Sequence, residues 1–518
     1  MGPRTQIQLN GDRLMLVLLQ FDSASLSVIE RMLEDGRLPA LAALRKRGQW
    51  SSLDADTDMF EAGTFPTLYT GKGMAEHGMY YPFVWSADEQ RVRYMDAFPI
   101  PDTIWERLAR AGRRSLIIDP YQLWVTHEQT GMSVSGWQFR HNIIPRWAKP
   151  AATYRRLVRD FGSPPKLNDV AGERTAAGLL EMRQKLLEGP SRAASATIDL
   201  LKRESFDFVW VTFIGSHQAG HHLWDLTFAE PSIDAASRKL LESGLESVYA
   251  EIDKAIQRIV DALPATADLI VFSSLGMGPN TTRSDMLPEM LKAVLGKVPV
   301  SQGTTSGAGS SIWRFRAAVP AGFRSAVASA MPGDMIRETV GRLYFRGVDW
   351  TKTPAFVLPG DHFGNIRLNV RGREREGIVP PDQVDSLLDE LSDGLASFND
   401  PDGSPSIAGF ERVAGQFIGP RVDNFPDLVI RWSDRPAAAI RRLVSPRFGE
   451  VVRRSVGTGR SGNHAPGTWA ILAPGSSKPC RVDRPPRIMD LAATACALLD
   501  VDRSDLSGEP LFGSRIDS

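Results

Sequence analysis

The stretch FDFVWVTFIGSHQAGHHLWD, residues 206–225, decides how the rest of the sequence is read. Phe208, Val209, Trp210, Val211, Phe213 and Ile214 form a nearly continuous apolar run, the composition of a strand buried on both faces. The run breaks at Gly215 and Ser216, and three of the chain's eight histidines follow within six residues. His217 and His221 stand four apart, so on a helical turn both imidazoles share one face. That spacing suits two nitrogen ligands of one metal ion. The carboxyl end of a buried strand is also where open α/β sheets place their chemistry. A helix start whose histidines bond only locally would read the same way, and this stretch alone does not separate the two.

Working outward, residues 14–21 (LMLVLLQF) are a second apolar strand, and it ends in Asp22. A buried carboxylate without a partner is costly, so Asp22 is either functional or the cap of the helix that follows. Residues 114–119 (RSLIID) and 267–272 (ADLIVF) add two more buried strands, with helical patterns between. Strands alternating with helices at this spacing predict a doubly wound, mostly parallel α/β sheet flanked by helices. Residues 121–190 carry Trp124, Trp137 and Trp147 among helical patterns and are expected as a helical lid insertion, with the tryptophans in its core. The expected organisation is a core over residues 1–300, a smaller α+β insertion over 301–444, and a last core part over 445–518 that holds a glycine-rich loop with His464.

Composition excludes several classes of function. Lys plus Arg and Asp plus Glu both number 61, so no net basic field attracts nucleic acid or an anionic membrane. The first residues, MGPRTQIQLNGDR, lack the apolar segment of a signal peptide, and no run approaches a bilayer span. Two cysteines, Cys480 and Cys496, are too few for a disulfide framework, and a cytoplasmic location is expected.

Five segments, in order, resemble the alkaline phosphatase superfamily, and within it the type I phosphodiesterase/nucleotide pyrophosphatase branch. They are Asp22 with ERMLEDGRLPALAALRKRG (30–48), TFPTLYTGKGMAEHGM (64–79), SHQAGHHLW (216–224), GNIRLNVRGREREGIVPP (364–381) and SGNHAPGTWAILAPG (461–475). The resemblance implies an α/β hydrolase or transferase acting on a phosphate ester, phosphodiester or related small molecule through two metal ions. It also implies a Thr or Ser nucleophile at a helix start. Asp22, His221 and His464 match metal ligands of that family, whereas His217 replaces an aspartate. The family's Ser-Asp-His-Gly-Met becomes Ser273, Ser274, Leu275, Gly276 and Met277, so two ligands of the second metal are missing. The expectation is one divalent transition metal, zinc first with manganese or iron as alternatives, on His217, His221 and His464, with Asp22 adjoining. Chemistry other than phosphoryl transfer, or a binding role without turnover, stays open.

Two residues compete for the nucleophile position. Counting back from Thr70 at the family's spacing selects Glu61, whereas matching its Thr-Phe-Pro text selects Thr64. The second alignment deletes nearly one helical turn, so Glu61 is preferred, as metal ligand or general base. His222 and Asp225 are candidate partners that orient a ligand imidazole, His362 could line the cleft or hold a turn, and His77 reads as structural.

Overall fold

Strand-forming apolar runs dominate the architecture of the computed structural model, which describes residues 14–55, 59–121, 124, 128–140, 146–167, 174–296, 333–453, 459–479 and 484–513. The main sheet has eight strands: β1 (Leu16–Phe21), β2 (Gln49–Ser52), β3 (Ser115–Ile118), β4 (Gly131–Ser135), β5 (Trp147–Lys149), β6 (Phe208–Phe213), β7 (Asp268–Ser273) and β8 (Trp469–Ala473). Their spatial order is β2-β8-β7-β1-β6-β3-β4-β5. The five inner strands β7, β1, β6, β3 and β4 are parallel, and β8 and β5 run antiparallel to their inner neighbours. β1 and β6 are buried at every position because helices cover both faces of the sheet. The single amide among them is fully satisfied. Gln20 Oε1 accepts from Trp210 Nε1 and Thr212 Oγ1, both at 3.0 Å, and its Nε2 donates to Ser274 Oγ at 3.1 Å.

Register is what places the chemistry. Phe21 pairs with Phe213 on one side and with Ser273 on the other, so β1, β6 and β7 end level. Asp22, the helix Gly215–His222 and Ser274 therefore emerge side by side.

Residues 121–190 are not the helical lid expected from their sequence. They contribute β4 and β5 to the main sheet, followed by the helices Ala151–Phe161 and Ala176–Arg203. Neighbours, and no pattern of their own, make these strands. GMSVS is small and mixed, yet Gly131 lies so close to β3 that an added Cβ would stand 2.1 Å from the Ser115 carbonyl oxygen. Trp124 and Trp137 are core residues, and the Arg192 guanidinium stacks on the Trp137 ring, 4.6 Å from its centroid.

A second, smaller core forms around an antiparallel sheet in the order Ala355–Leu358, Gly364–Leu368, Leu428–Trp432, Ile407–Arg412. The helices Leu287–Gly296 and Val384–Ala396 cover it. Its packing reaches beyond residues 301–444 at both ends, because Met286 to Val294 belong to it and the hairpin Arg442–Ser445/Gly449–Val452 continues it. Residues 297–332 and Cys480 lie outside the described residues, and Cys496 is buried. No described helix is long and apolar enough to cross a membrane.

Candidate metal centre

The helix Gly215–His222 begins directly at the end of β6 and carries His217 and His221 on one face. His464 reaches them from the short strand Gly462–Ala465, which pairs antiparallel with Gly276–Pro279 and sets His464 opposite Met277. Only glycine permits the approach at position 462, where an added Cβ would stand 2.1 Å from the Gly220 carbonyl oxygen. The three buried imidazoles offer one ligand atom each within 4.8 Å of one another, the one such grouping among the described residues.

Hydrogen bonding fixes which nitrogens face inward. His221 Nδ1 lies 3.0 Å from the Gly462 carbonyl oxygen, which only accepts, so Nδ1 carries the proton and Nε2 keeps its lone pair. His217 Nδ1 lies 2.7 Å from Asp22 Oδ2, and its Nε2 faces His221 Nε2 at 2.9 Å. Two imidazole lone pairs that close repel unless a proton or a cation lies between them. Protonation is costly here, since burial first, then Arg460 and the neighbouring histidines, pushes His221 well below the usual range. Burial and His217 do the same to His464. Buried neutral nitrogens that converge, with His464 Nδ1 and Asp22 Oδ1 left without hydrogen-bond partners, are a donor set that fits a divalent cation.

Asp22 behaves as the partner of His217. Burial raises its carboxyl well above the usual range, because an uncompensated negative charge is costly there. Positive charge beyond the His217 ring would favour the ionised carboxylate, the pattern in which a carboxylate orients a metal-binding imidazole.

Toward Ser274 and Leu275 the described residues offer no further grouping of donors. Ser274 Oγ is engaged by Gln20, and Leu275 is a core residue whose carbonyl accepts from Ala24 N–H at 3.1 Å. Tyr121 packs on the His217 ring with centroids 4.7 Å apart, and Phe65 packs on Tyr121 at 5.2 Å. Tyr69 Oη accepts the Tyr121 N–H at 2.9 Å, so an aromatic wall closes over Asp22 and His217.

Glu61 and Thr64 part company. Glu61 opens the 3-10 turn Glu61–Gly63, which runs on into the helix Thr64–Thr70. Its Oε1 accepts the His362 N–H at 3.1 Å, and its carboxyl is pushed up to about 7 by burial and then by the charge of Asp361. Thr64 Oγ1 donates to the Ala55 carbonyl at 3.3 Å, committed to the backbone. Glu61 thus meets the insertion's turn at Asp361 and His362, and neither residue joins the three-histidine group.

Of the lesser candidates, His222 Nδ1 lies 3.2 Å from Arg174 Nη2 and stands apart from the trio. Asp225 is exposed and caps a turn by accepting the Thr227 N–H at 2.8 Å. His77 is structural, since Nδ1 accepts the Met79 N–H and Nε2 donates to Thr67 Oγ1, each at 3.0 Å. Burial lowers it to about 3, so the folded state holds it neutral while the unfolded chain protonates near 6.5. Its contribution to stability is complete above that pH and is lost as pH falls from about 6.5 toward 3. Between pH 7 and 5 a His77→Gln protein should lose about 2 kcal/mol less unfolding free energy than the wild type, measured by urea melts.

Sequence reasoning missed Asp361, Arg460, Tyr81 and Asn463. Asp361 accepts from Tyr81 Oη–H at 3.0 Å and Arg460 Nη1 at 3.2 Å, and its carbonyl accepts from Asn463 Nδ2 at 3.3 Å. Asn463 Oδ1 in turn accepts the His464 N–H at 2.9 Å. Burial raises the Asp361 carboxyl, but Arg460 and His464 outweigh that and hold it below the usual range. The only local signals were adjacency to His362 and to His464.

A model described as type I phosphodiesterase / nucleotide pyrophosphatase matches residues 16–408, well over half of the chain. The chain belongs to that family. Its members are hydrolases, and this chain carries the eight-stranded, mostly parallel sheet described above. No curated protein matches the sequence. Among solved structures, the chain is similar to phosphonoacetate hydrolase from Sinorhizobium meliloti 1021 in complex with phosphonoacetate, at 13% identity and a TM-score of 0.49, over 93% of this chain and 95% of that one. It is also similar to murine ectonucleotide pyrophosphatase / phosphodiesterase 5 in complex with AMP, at 10% identity and a TM-score of 0.47, over 95% and 96% of the two chains.

Proposed function

We propose that this type I phosphodiesterase-family chain hydrolyses a small phosphate ester or phosphodiester with one divalent cation on His217, His221 and His464. The observation that carries the reading is the convergence of those three imidazoles at the carboxyl end of β6, with His217 and His221 each fixed through the other ring nitrogen. Zinc suits three neutral nitrogens, with manganese or iron as alternatives, and bound there it would supply a Lewis acid and lower the pKa of a water. Asp22 holds His217 in orientation and balances charge. Glu61, titrating near neutrality in a buried setting, takes the proton of the attacking water in place of a hydroxyl nucleophile. Thr64, bonded to Ala55, is a packing residue.

Metal analysis together with turnover tests the reading. Purified protein should hold about one equivalent of zinc, and the zinc-loaded protein should hydrolyse bis(p-nitrophenyl) phosphate or p-nitrophenyl phosphate, with loss of both on dialysis against a chelator. Protein that takes up no zinc, manganese or iron would move the reading to a binding role. The lack of ligating side chains at Ser274 and Leu275 favours a second reading, chemistry outside phosphoryl transfer. Zinc-loaded protein that is inert toward phosphate esters but cleaves carboxylic esters would establish it.

A further inference from the structure

Arg460 and Asp361 come from two separate segments of the chain and meet in an ion pair. Asp361 lies in the turn between the strands Ala355–Leu358 and Gly364–Leu368 of the smaller core, and Arg460 lies in the loop that leads to His464. The Arg460 backbone is tied down on both sides: its carbonyl accepts from Asn280 Nδ2 at 2.7 Å, and the next N–H, of Ser461, donates to the His221 carbonyl at 3.0 Å. Gly462 and His464 are held by strand pairing. The loop is therefore fixed without help from the Arg460 side chain. That side chain reaches Asp361 through an Nη1–Oδ2 contact of 3.2 Å, and the two side chains are 23% and 34% exposed, so the pair is in reach of solvent. Its charge is also felt at both His221 and His464.

We propose that Arg460, held beside the three histidines by Asp361, binds a non-bridging phosphoryl oxygen of the substrate, and that Asp361 is the ion it exchanges for that oxygen. This rests on the phosphate-ester reading. The planar guanidinium fork matches two oxygens of a phosphoryl group. A partly exposed ion pair is cheap to exchange. Asp361 keeps a second donor in Tyr81 Oη–H and a third in Asn463 Nδ2 on its carbonyl, so the turn stays in place after the exchange.

The probe is inorganic phosphate, titrated calorimetrically into zinc-treated and metal-free protein, with zinc content measured on the same samples. Arg460→Met should weaken phosphate binding at least about tenfold, while Asp361→Asn, which removes the competing charge, should bind phosphate as tightly as wild type or up to about threefold more tightly. Arg460→Lys keeps the stem and the charge and should fall between, and it carries the test if the methionine variant misfolds. Equal affinity in wild type and both Arg460 variants overturns the assignment, as does phosphate binding by none of the proteins. Asp361→Asn losing as much affinity as Arg460→Met also overturns it, since the pair would then be scaffold. Zinc content reads the metal assignment separately. Arg460-dependent phosphate binding in protein that takes up no zinc supports this inference and sinks the metal reading.

Discussion

Replacing His221 with alanine is expected to reduce retained zinc from about one equivalent to near background, an affinity loss of at least about a hundredfold, with the fold intact by circular dichroism. The same holds for His217→Ala and His464→Ala, because each removes one of three converging nitrogens. Asp22→Asn should be milder, about ten- to a hundredfold, since it weakens the partner that orients His217 and leaves all three nitrogens in place. Elemental analysis after exhaustive dialysis reads all four. Full zinc retention in the His464 variant would show that the ligands lie elsewhere, because that residue comes from a separate segment and no neighbour could replace it.

Glu61→Gln is expected to lower kcat by about a hundred- to ten-thousandfold at unchanged zinc content, the range for losing a general base. Thr64→Ala should stay within about tenfold of wild type, since its hydroxyl is spent on a backbone carbonyl. The pH profile adds a sign. A base must be ionised, so kcat/KM should rise with pH and reach half its plateau near 7, where burial and Asp361 hold the Glu61 carboxyl. Asp361→Asn removes the second of those causes and should move that limb to lower pH. Trapping a covalent phosphoryl adduct on Thr64, or a dead Thr64→Ala protein, would assign the nucleophile to the threonine instead.

The fold was legible wherever a strand is buried on both faces, because LVLLQF, FVWVTF and DLIVFS then need nearly unbroken apolar runs. It was illegible at β4 and β5, where three to five ordinary residues become strands only because β3, and then β4, offers an edge. The site divides in the same way. His217 and His221 announce themselves through helical spacing, and His464 through its glycine-rich loop. Asp361 and Arg460 leave no comparable trace, because their meeting depends on how the smaller core docks and no local pattern encodes that contact. The loss of carboxylate and imidazole at Ser274 and Leu275 was visible at once. The aromatic wall that Tyr121 and Phe65 build over His217 was not, since packing partners far apart in sequence carry no periodicity.

The position of β8 bears on how the protein comes into being on the ribosome. It slots antiparallel between β2 and β7, near the end of the chain, and β2 touches the sheet only through it. During synthesis the parallel strands can therefore assemble while one flank of β7 still offers bare backbone and β2 waits unattached. His464, a few residues before β8, arrives with the same segment, so a nascent chain carries two imidazoles at the end of β6 long before the third. Closing the sheet and bringing the third imidazole to the other two are one late event.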